Sequence, residues 1–212
     1  MTNKHLTFAI FGNSFQPRKS QSLMRVLDFL RSKGASIIFD RTFYDFLTAE
    51  QNQELGEVGT FEGDDFNADY VISMGGDGTF LKAAVRVGIK SIPLIGINMG
   101  RLGFLADVLP GEVETALQAV LEGNYNIEEH TAIQISTNGG DFDGCHYALN
   151  DIAVLKRDIA SMIGIHTSID GSFLVNYQAD GLIVSTPTGL TEVLSSYRKP
   201  VLCVLHLWRR IA

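Results

Sequence analysis

The sequence predicts an α/β chain in two parts, a mainly parallel-sheet domain over residues 1–124 and a β-rich domain over 125–212. Three observations lead there. As far as residue 124, short apolar runs alternate with stretches of helical periodicity, the pattern of a parallel sheet covered on both faces. From Tyr125 onward, strand-like runs are separated by Asn138-Gly139-Gly140 and Asp170-Gly171, both strong hairpin-turn signals. Finally, 212 residues with 45% hydrophobic and 19% charged content can bury the core of one large domain or two small ones.

Taken in order, Leu6 to Phe11 is an apolar run ending at Gly12 and reads as a buried opening strand. Between Ser20 and Lys33, Leu23, Val26, Leu27 and Leu30 recur at helical spacing, and Gly34 supplies a stop. Ser36 to Phe39 is the next strand. Thr48 to Asp69 is acidic with weak periodicity and reads as a helix end followed by a mobile loop. Tyr70 to Met74 is a buried strand, Phe80 to Val87 a helix opened by Thr79, and Ser91 to Ile97 a strand with Pro93 near its entry. Gly111 to Leu121 is a helix closed by Gly123. In the second part Ile127–Thr137, Phe142–Lys156, Ile163–Ile169 and Phe173–Tyr177 all read as strands.

Charge and composition exclude several roles. Lys and Arg total 17 against 24 Asp and Glu, a net charge of −7, which argues against nucleic-acid or anionic-membrane binding. No window reaches the eighteen or so apolar residues of a membrane span, and the N-terminus has no signal-like apolar region. Cys145 and Cys203 form neither a zinc pattern nor a disulfide framework, which predicts a reducing, cytoplasmic setting. The five histidines lack metal-ligand spacing. Cys145 and His146 do not make a nucleophile pair, because neighbours on a strand point to opposite faces.

The informative residues are glycines. Gly75-Gly76-Asp77-Gly78-Thr79 follows a buried strand and opens a helix. Glycines there let the backbone approach a phosphate, and the helix N-terminus with its N–H groups favours an anion. Asp77 would repel a phosphate, so it reads as a base or metal-linked group acting on a neighbouring hydroxyl. The alternative is a plain strand-to-helix turn capped by Asp77 or Thr79. No Walker string and no Gly-x-Gly-x-x-Gly fingerprint occurs. A second segment, Gly96 to Asp107, also follows a strand and so lands at the carboxyl edge where open α/β sheets bind ligands. There Asn98 is placed to read a polar edge and Arg101 to neutralise phosphate. Asn150-Asp151 is suited to vicinal hydroxyls or a purine edge, though Asn-Asp is also an ordinary turn pair. Asp180-Gly181-Leu-Ile-Val-Ser-Thr-Pro-Thr-Gly189 joins an acidic turn, a buried strand and a small-residue loop.

Together, in this order and at these separations, the four segments resemble the NAD kinase family, over roughly residues 6 to 189. The resemblance implies a Rossmann-like α/β domain followed by a β-sandwich domain, usually assembled into homo-oligomers. It implies transfer of the γ-phosphoryl of ATP to the adenosine-ribose 2′-hydroxyl of NAD, making NADP, with a divalent metal, Mg²⁺, offsetting phosphate charge. Asp77 matches the base; Gly75, Gly76, Gly78 and Thr79 match the phosphate-binding turn; Lys82, Asn150, Asp151, Asp180 and Thr191, with Asp77 and Gly78, match NAD-binding positions. Asp151 stands where the family has glutamate, one methylene shorter. After Gly189 the family pattern stops: Val193 replaces the expected tyrosine. The run from Leu190 to Ala212 suggests a shifted reading frame and an incomplete β-sandwich, because a one-base shift can turn Tyr197–Pro200 into Ile-Gly-Asn-Pro. Two other readings accompany this one. A diacylglycerol-kinase-like lipid kinase shares the Gly-Gly-Asp-Gly-Thr turn but is opposed by Asn150-Asp151 and by segment 180–189; an inactive remnant would at most bind nucleotide.

Overall fold

Each apolar run of the first half becomes a strand and each amphipathic stretch a helix packed on those strands. The computed structural model describes residues 5–12, 20–100, 103–139, 146–158, 161–189, 201–203 and 207–211. These fall into two compact units, Met1–Glu129 together with Arg209–Ala212, and His130–Trp208.

In the first unit the chain runs β1 (Thr7–Gly12), α1 (Ser20–Ser32), β2 (Ser36–Asp40), α2 (Arg41–Asp45), a π-helical turn (Phe46–Glu50), β3 (Gly59–Phe61), β4 (Tyr70–Gly75), α3 (Asp77–Val87), β5 (Leu94–Asn98) and α4 (Val113–Glu122). Strands β3-β2-β1-β4-β5 lie side by side in that order and every neighbouring pair is parallel. The chain therefore reverses its direction of travel across the sheet between β1 and β4, where Gly12 pairs with Met74. In an open parallel sheet a crevice forms at the carboxyl ends of the strands at such a reversal.

The spacing of Leu23, Val26, Leu27 and Leu30 puts one face of α1 toward the sheet, and all four are 0–2% exposed. Val113, Leu117 and Val120 of α4 join the same cluster as Ile10, Phe39 and Ile72. Thr79, Phe80, Ala83, Ala84 and Val87 are the buried residues of α3, which packs on β1, β4 and β5. Burying a side chain the size of leucine contributes about 1.5–3 kcal/mol, so these faces hold the helices on the sheet. Gly34 (φ 69°) and Gly123 (φ 72°) adopt the left-handed conformation after α1 and α4, as the stop positions require.

Three expectations are corrected. The segment 48–69 contains a strand, β3, whose three residues are too few to display alternation and which, among the described residues, pairs only with β2. Helix α3 starts at Asp77 instead of after Thr79, because the Gly76 carbonyl already accepts from the N–H groups of Thr79 (2.9 Å) and Phe80 (3.1 Å). The strand after it begins at Leu94, past Pro93, which has no N–H to give a ladder.

From residue 127 the elements are β6 (Ile127–Thr131), β7 (Ile133–Gln134), β8 (Tyr147–Ala148), β9 (Asp151–Leu155), β10 (Ile163–Ile169), β11 (Ser172–Ala179), β12 (Gly181–Ser185), β13 (Val201–Cys203) and β14 (Leu207–Ile211). β10 and β11 form the expected hairpin, turning through Asp170 (φ 50°) and Gly171 (φ 78°). β9 and β12 pair antiparallel, β13 adds to β12 in parallel, and β7 pairs with β8. β14 pairs in parallel with β5, where Arg210 meets Leu94.

Candidate functional site

The Gly-Gly-Asp-Gly-Thr segment sits where β4 meets α3, at the carboxyl end of the sheet and at its reversal point. Gly76 is the N-cap, with no side-chain cap bond, so neither Asp77 nor Thr79 caps this helix. Gly75 has an internal reason to be small: a Cβ there would lie 2.6 Å from the Thr79 Cβ. Gly76 and Gly78 have none. Around both, a Cβ would meet open space, and Gly76 has an extended backbone (φ −102°) that any residue adopts. Glycine is at home at an N-cap, where Gly76 stands, but inside a helix it is destabilising, so Gly78, which neither packing nor backbone demands, points to a partner outside the chain.

Asp77 turns its carboxylate into the neighbouring loop. Oδ1 accepts from the backbone N–H groups of Leu105 (3.0 Å) and Ala106 (3.1 Å), and Oδ2 accepts from that of Phe104 (2.8 Å). Three successive N–H groups converging on an anion form a backbone nest. The loop is fastened to β5 by the Ile97–Val108 bridge, in which Asn98 N–H donates to Val108 (2.8 Å) and Val108 N–H to Gly96 (3.0 Å). Gly96 allows this approach, since a Cβ there would stand 2.6 Å from the Ala106 Cα. Asn98 is 2% exposed; its amide donates to the Ala106 carbonyl (3.1 Å) and its Oδ1 accepts from Gly100 N–H (2.7 Å). It is therefore a clamp on the loop, not the reader of a ligand edge that the sequence suggested. Arg101 lies outside the described residues.

Lys82 is exposed on α3, four residues beyond Gly78, so the two share a stripe of the helix. Lys82 does not share the face of Asp77.

The remaining candidates lie in the second unit. Leu149 and Asn150 are laced to the 185–189 segment: Thr186 Oγ1 donates to the Leu149 carbonyl (2.5 Å) and to that of Asn150 (3.0 Å), and Thr186 N–H donates to Asn150 (2.8 Å). Gly189 passes so close that a Cβ would stand 2.6 Å from the Asn150 carbonyl carbon. Asp151 opens β9 opposite Ser185. Asp180 precedes the other end of the same pair, where Gly181 faces Leu155. Four strand steps, about 13 Å, separate the two ends, so Asp180 does not converge with Asn150 and Asp151. Its carboxylate instead meets Lys156 Nζ at 2.7 Å, a partner that no motif singles out. Thr191 lies outside the described residues.

A cavity of about 480 Å³ opens beside α4, lined by Ile95, Val108, Thr115, Ala116 and Tyr125 among others. None of the glycine-turn residues lines it, so the polar chemistry lies elsewhere.

Residues 8–125 match the ATP-NAD kinase N-terminal domain and residues 149–202 the ATP-NAD kinase C-terminal domain. The chain is 47% identical over 197 residues to an NAD kinase of Bacteroides fragilis, covering 93% of this chain and 68% of that one. It is 35% identical over 194 residues to an NAD kinase of Porphyromonas gingivalis, covering 92% and 67%. Among solved structures, yeast NADH kinase complexed with NADH superposes with a TM-score of 0.77 at 20% identity, over 95% of this chain and 63% of that one. An NAD kinase from Archaeoglobus fulgidus in complex with ATP gives 0.66 at 26% identity, over 92% and 66%. The chain thus spans about two thirds of the length of the proteins it matches.

Proposed function

This chain belongs to the NAD kinase family, enzymes that phosphorylate NAD, and from that premise we propose that it moves the γ-phosphoryl of ATP onto the adenosine-ribose 2′-hydroxyl of NAD, with Asp77 as the base. The observation that carries the reading is the pairing of two glycines whose side-chain positions are empty, Gly76 and Gly78, with a carboxylate held firmly between them at the mouth of α3. The glycines and the helix N-terminus take the phosphates, and the Lys82 ammonium, on the Gly78 stripe, adds positive charge. Asp77 receives the 2′-hydroxyl proton as the ribose oxygen bonds to the γ-phosphorus and the bond to ADP breaks. Positioning and charge carry the catalysis, as is usual for phosphoryl transfer. ATP as donor is supported by the ATP complex of the Archaeoglobus fulgidus relative.

Gly75 and Thr79 shape the turn, while Asn150 and Asp151 are assigned to NAD, with Thr186 and Gly189 holding Asn150 in place. Asp180, paired with Lys156, and Thr191 complete the proposed NAD contacts. Among the described residues no three His, Cys, Asp or Glu side chains converge on one point. Asp77 faces N–H donors, which a cation avoids. These residues do not fit a resident metal, and Mg²⁺ enters as part of the ATP substrate. The two-domain division at 124/125, a cytoplasmic setting and assembly into homo-oligomers belong to the same proposal. The last is supported by exposed apolar side chains on the second unit, Leu155, Met162 and Phe173, each more than 60% accessible.

The test is NADP formation by the purified 212-residue chain with NAD, ATP and Mg²⁺, beside its Asp77→Asn variant. The chain is expected to turn over and the variant to lose activity while still binding NAD. A folded chain with no turnover would overturn the proposed activity, and an active variant would remove Asp77 from the reaction.

A further inference from the structure

We infer that Gly103 is a positioning residue for Asp77: its lack of a side chain lets the loop close on the carboxylate so that one lone pair, on Oδ2, stays turned to the substrate hydroxyl. This rests on the reading of Asp77 as the base. A carboxylate presents about four acceptor directions, two on each oxygen. Leu105 and Ala106 engage both on Oδ1, and Phe104 engages one on Oδ2. One direction is left, so the nest does more than hold the side chain: it selects the oxygen that works and fixes its aim.

Gly103 makes this closure possible. A Cβ at position 103 would lie 2.5 Å from both Cγ and Oδ2 of Asp77, and the three nearest atoms it would meet all belong to that carboxylate. No real Cβ sits so close to a carboxylate, so any residue but glycine must displace the carboxylate or the loop by roughly 1 Å to regain ordinary contact. Gly103 carries no left-handed φ, so the demand for glycine comes from this contact and not from the backbone.

The test is a double-mutant cycle of Gly103→Ala and Asp77→Ala on the full chain, read by steady-state kinetics with NAD and MgATP and by thermal melting. A 1 Å misplacement of a reacting group costs about a hundredfold in rate. Gly103→Ala is therefore expected to lower kcat on the order of a hundredfold, to leave KM for NAD within about twofold, and to lower the melting temperature. In the Asp77→Ala background the clash is gone, so adding Gly103→Ala should shift neither the residual rate nor the melting temperature. Wild-type kcat in Gly103→Ala, or an equal loss of melting temperature in both backgrounds, would overturn the inference. Should Gly103→Ala fail to fold alone, recovery of folding in the double variant supports the contact with Asp77, and failure there overturns it. An inactive parent chain would instead defeat the proposed activity, and the melting half of the cycle still decides whether Gly103 serves Asp77.

Discussion

Around Asp77 four glycines do three different things, and single substitutions separate them. Gly75 is small for Thr79, Gly103 for the carboxylate, and Gly76 and Gly78 for nothing within the chain. Gly78→Ala fills open space within α3 and is expected to raise stability by about 0.5–1 kcal/mol. Gly76→Ala adds its methyl to equally open space and is expected to leave the fold intact. Both variants are expected to weaken ATP binding at least tenfold, because the added methyl occupies the space assigned to phosphate. Isothermal titration with ATP alongside urea unfolding checks this. Stability unchanged or raised with ATP affinity also unchanged would mean that these glycines face no ligand.

At the scale of elements, the helix faces and buried strands were legible because burial demands a period that composition alone displays. Leu23, Val26, Leu27 and Leu30 declare the inner face of α1, and all four are buried. Leu27→Ala should lower the unfolding free energy by about 2–5 kcal/mol, read from urea midpoints, since the position is fully enclosed. A loss under 1 kcal/mol would mean that the cluster around it relaxes to fill the gap. β3 was not legible: three residues have no period, and their strand character comes from β2 alone. In the site, the glycine turn and Asp77 stood out as a motif, but the donors to Asp77 did not. Those donors are backbone N–H groups of Phe104, Leu105 and Ala106, which every residue type carries, and so leave no trace in side-chain identity. Asn98 misled for the related reason that an amide able to read a ligand is equally able to clamp a loop.

At the scale of the whole chain, the Tyr70 phenol gives the pH dependence of stability an alkaline component. Burial, then the Tyr125 hydroxyl at 3.1 Å, then the Asp69 charge push the Tyr70 phenol up from its ordinary value near 10 to about 12. Below pH 10 both folded and unfolded chains keep this proton and the contribution to stability is complete. Between 10 and 12 the unfolded chain releases it while the folded chain does not, so stability falls as pH climbs through that window. Ultraviolet titration should find the Tyr70 phenol ionising near 12. In Tyr125→Phe that midpoint should move down, yet stay above 10 because burial is the larger cause. An unchanged midpoint would leave the tyrosine pair without influence on Tyr70.

The closeness of Gly103 and Asp77 also sets an order on how this site can decay. In a copy of the gene released from selection, a side chain at position 103 strains the fold for as long as the Asp77 carboxylate remains. Once Asp77 has shortened, the same change no longer meets the three atoms nearest to it. Loss of the base therefore opens position 103 to drift, while drift at 103 does not come first without harm. Two residues twenty-six positions apart carry a directional history, in which glycine at 103 without aspartate at 77 marks an early stage of loss and the reverse combination marks a strained one.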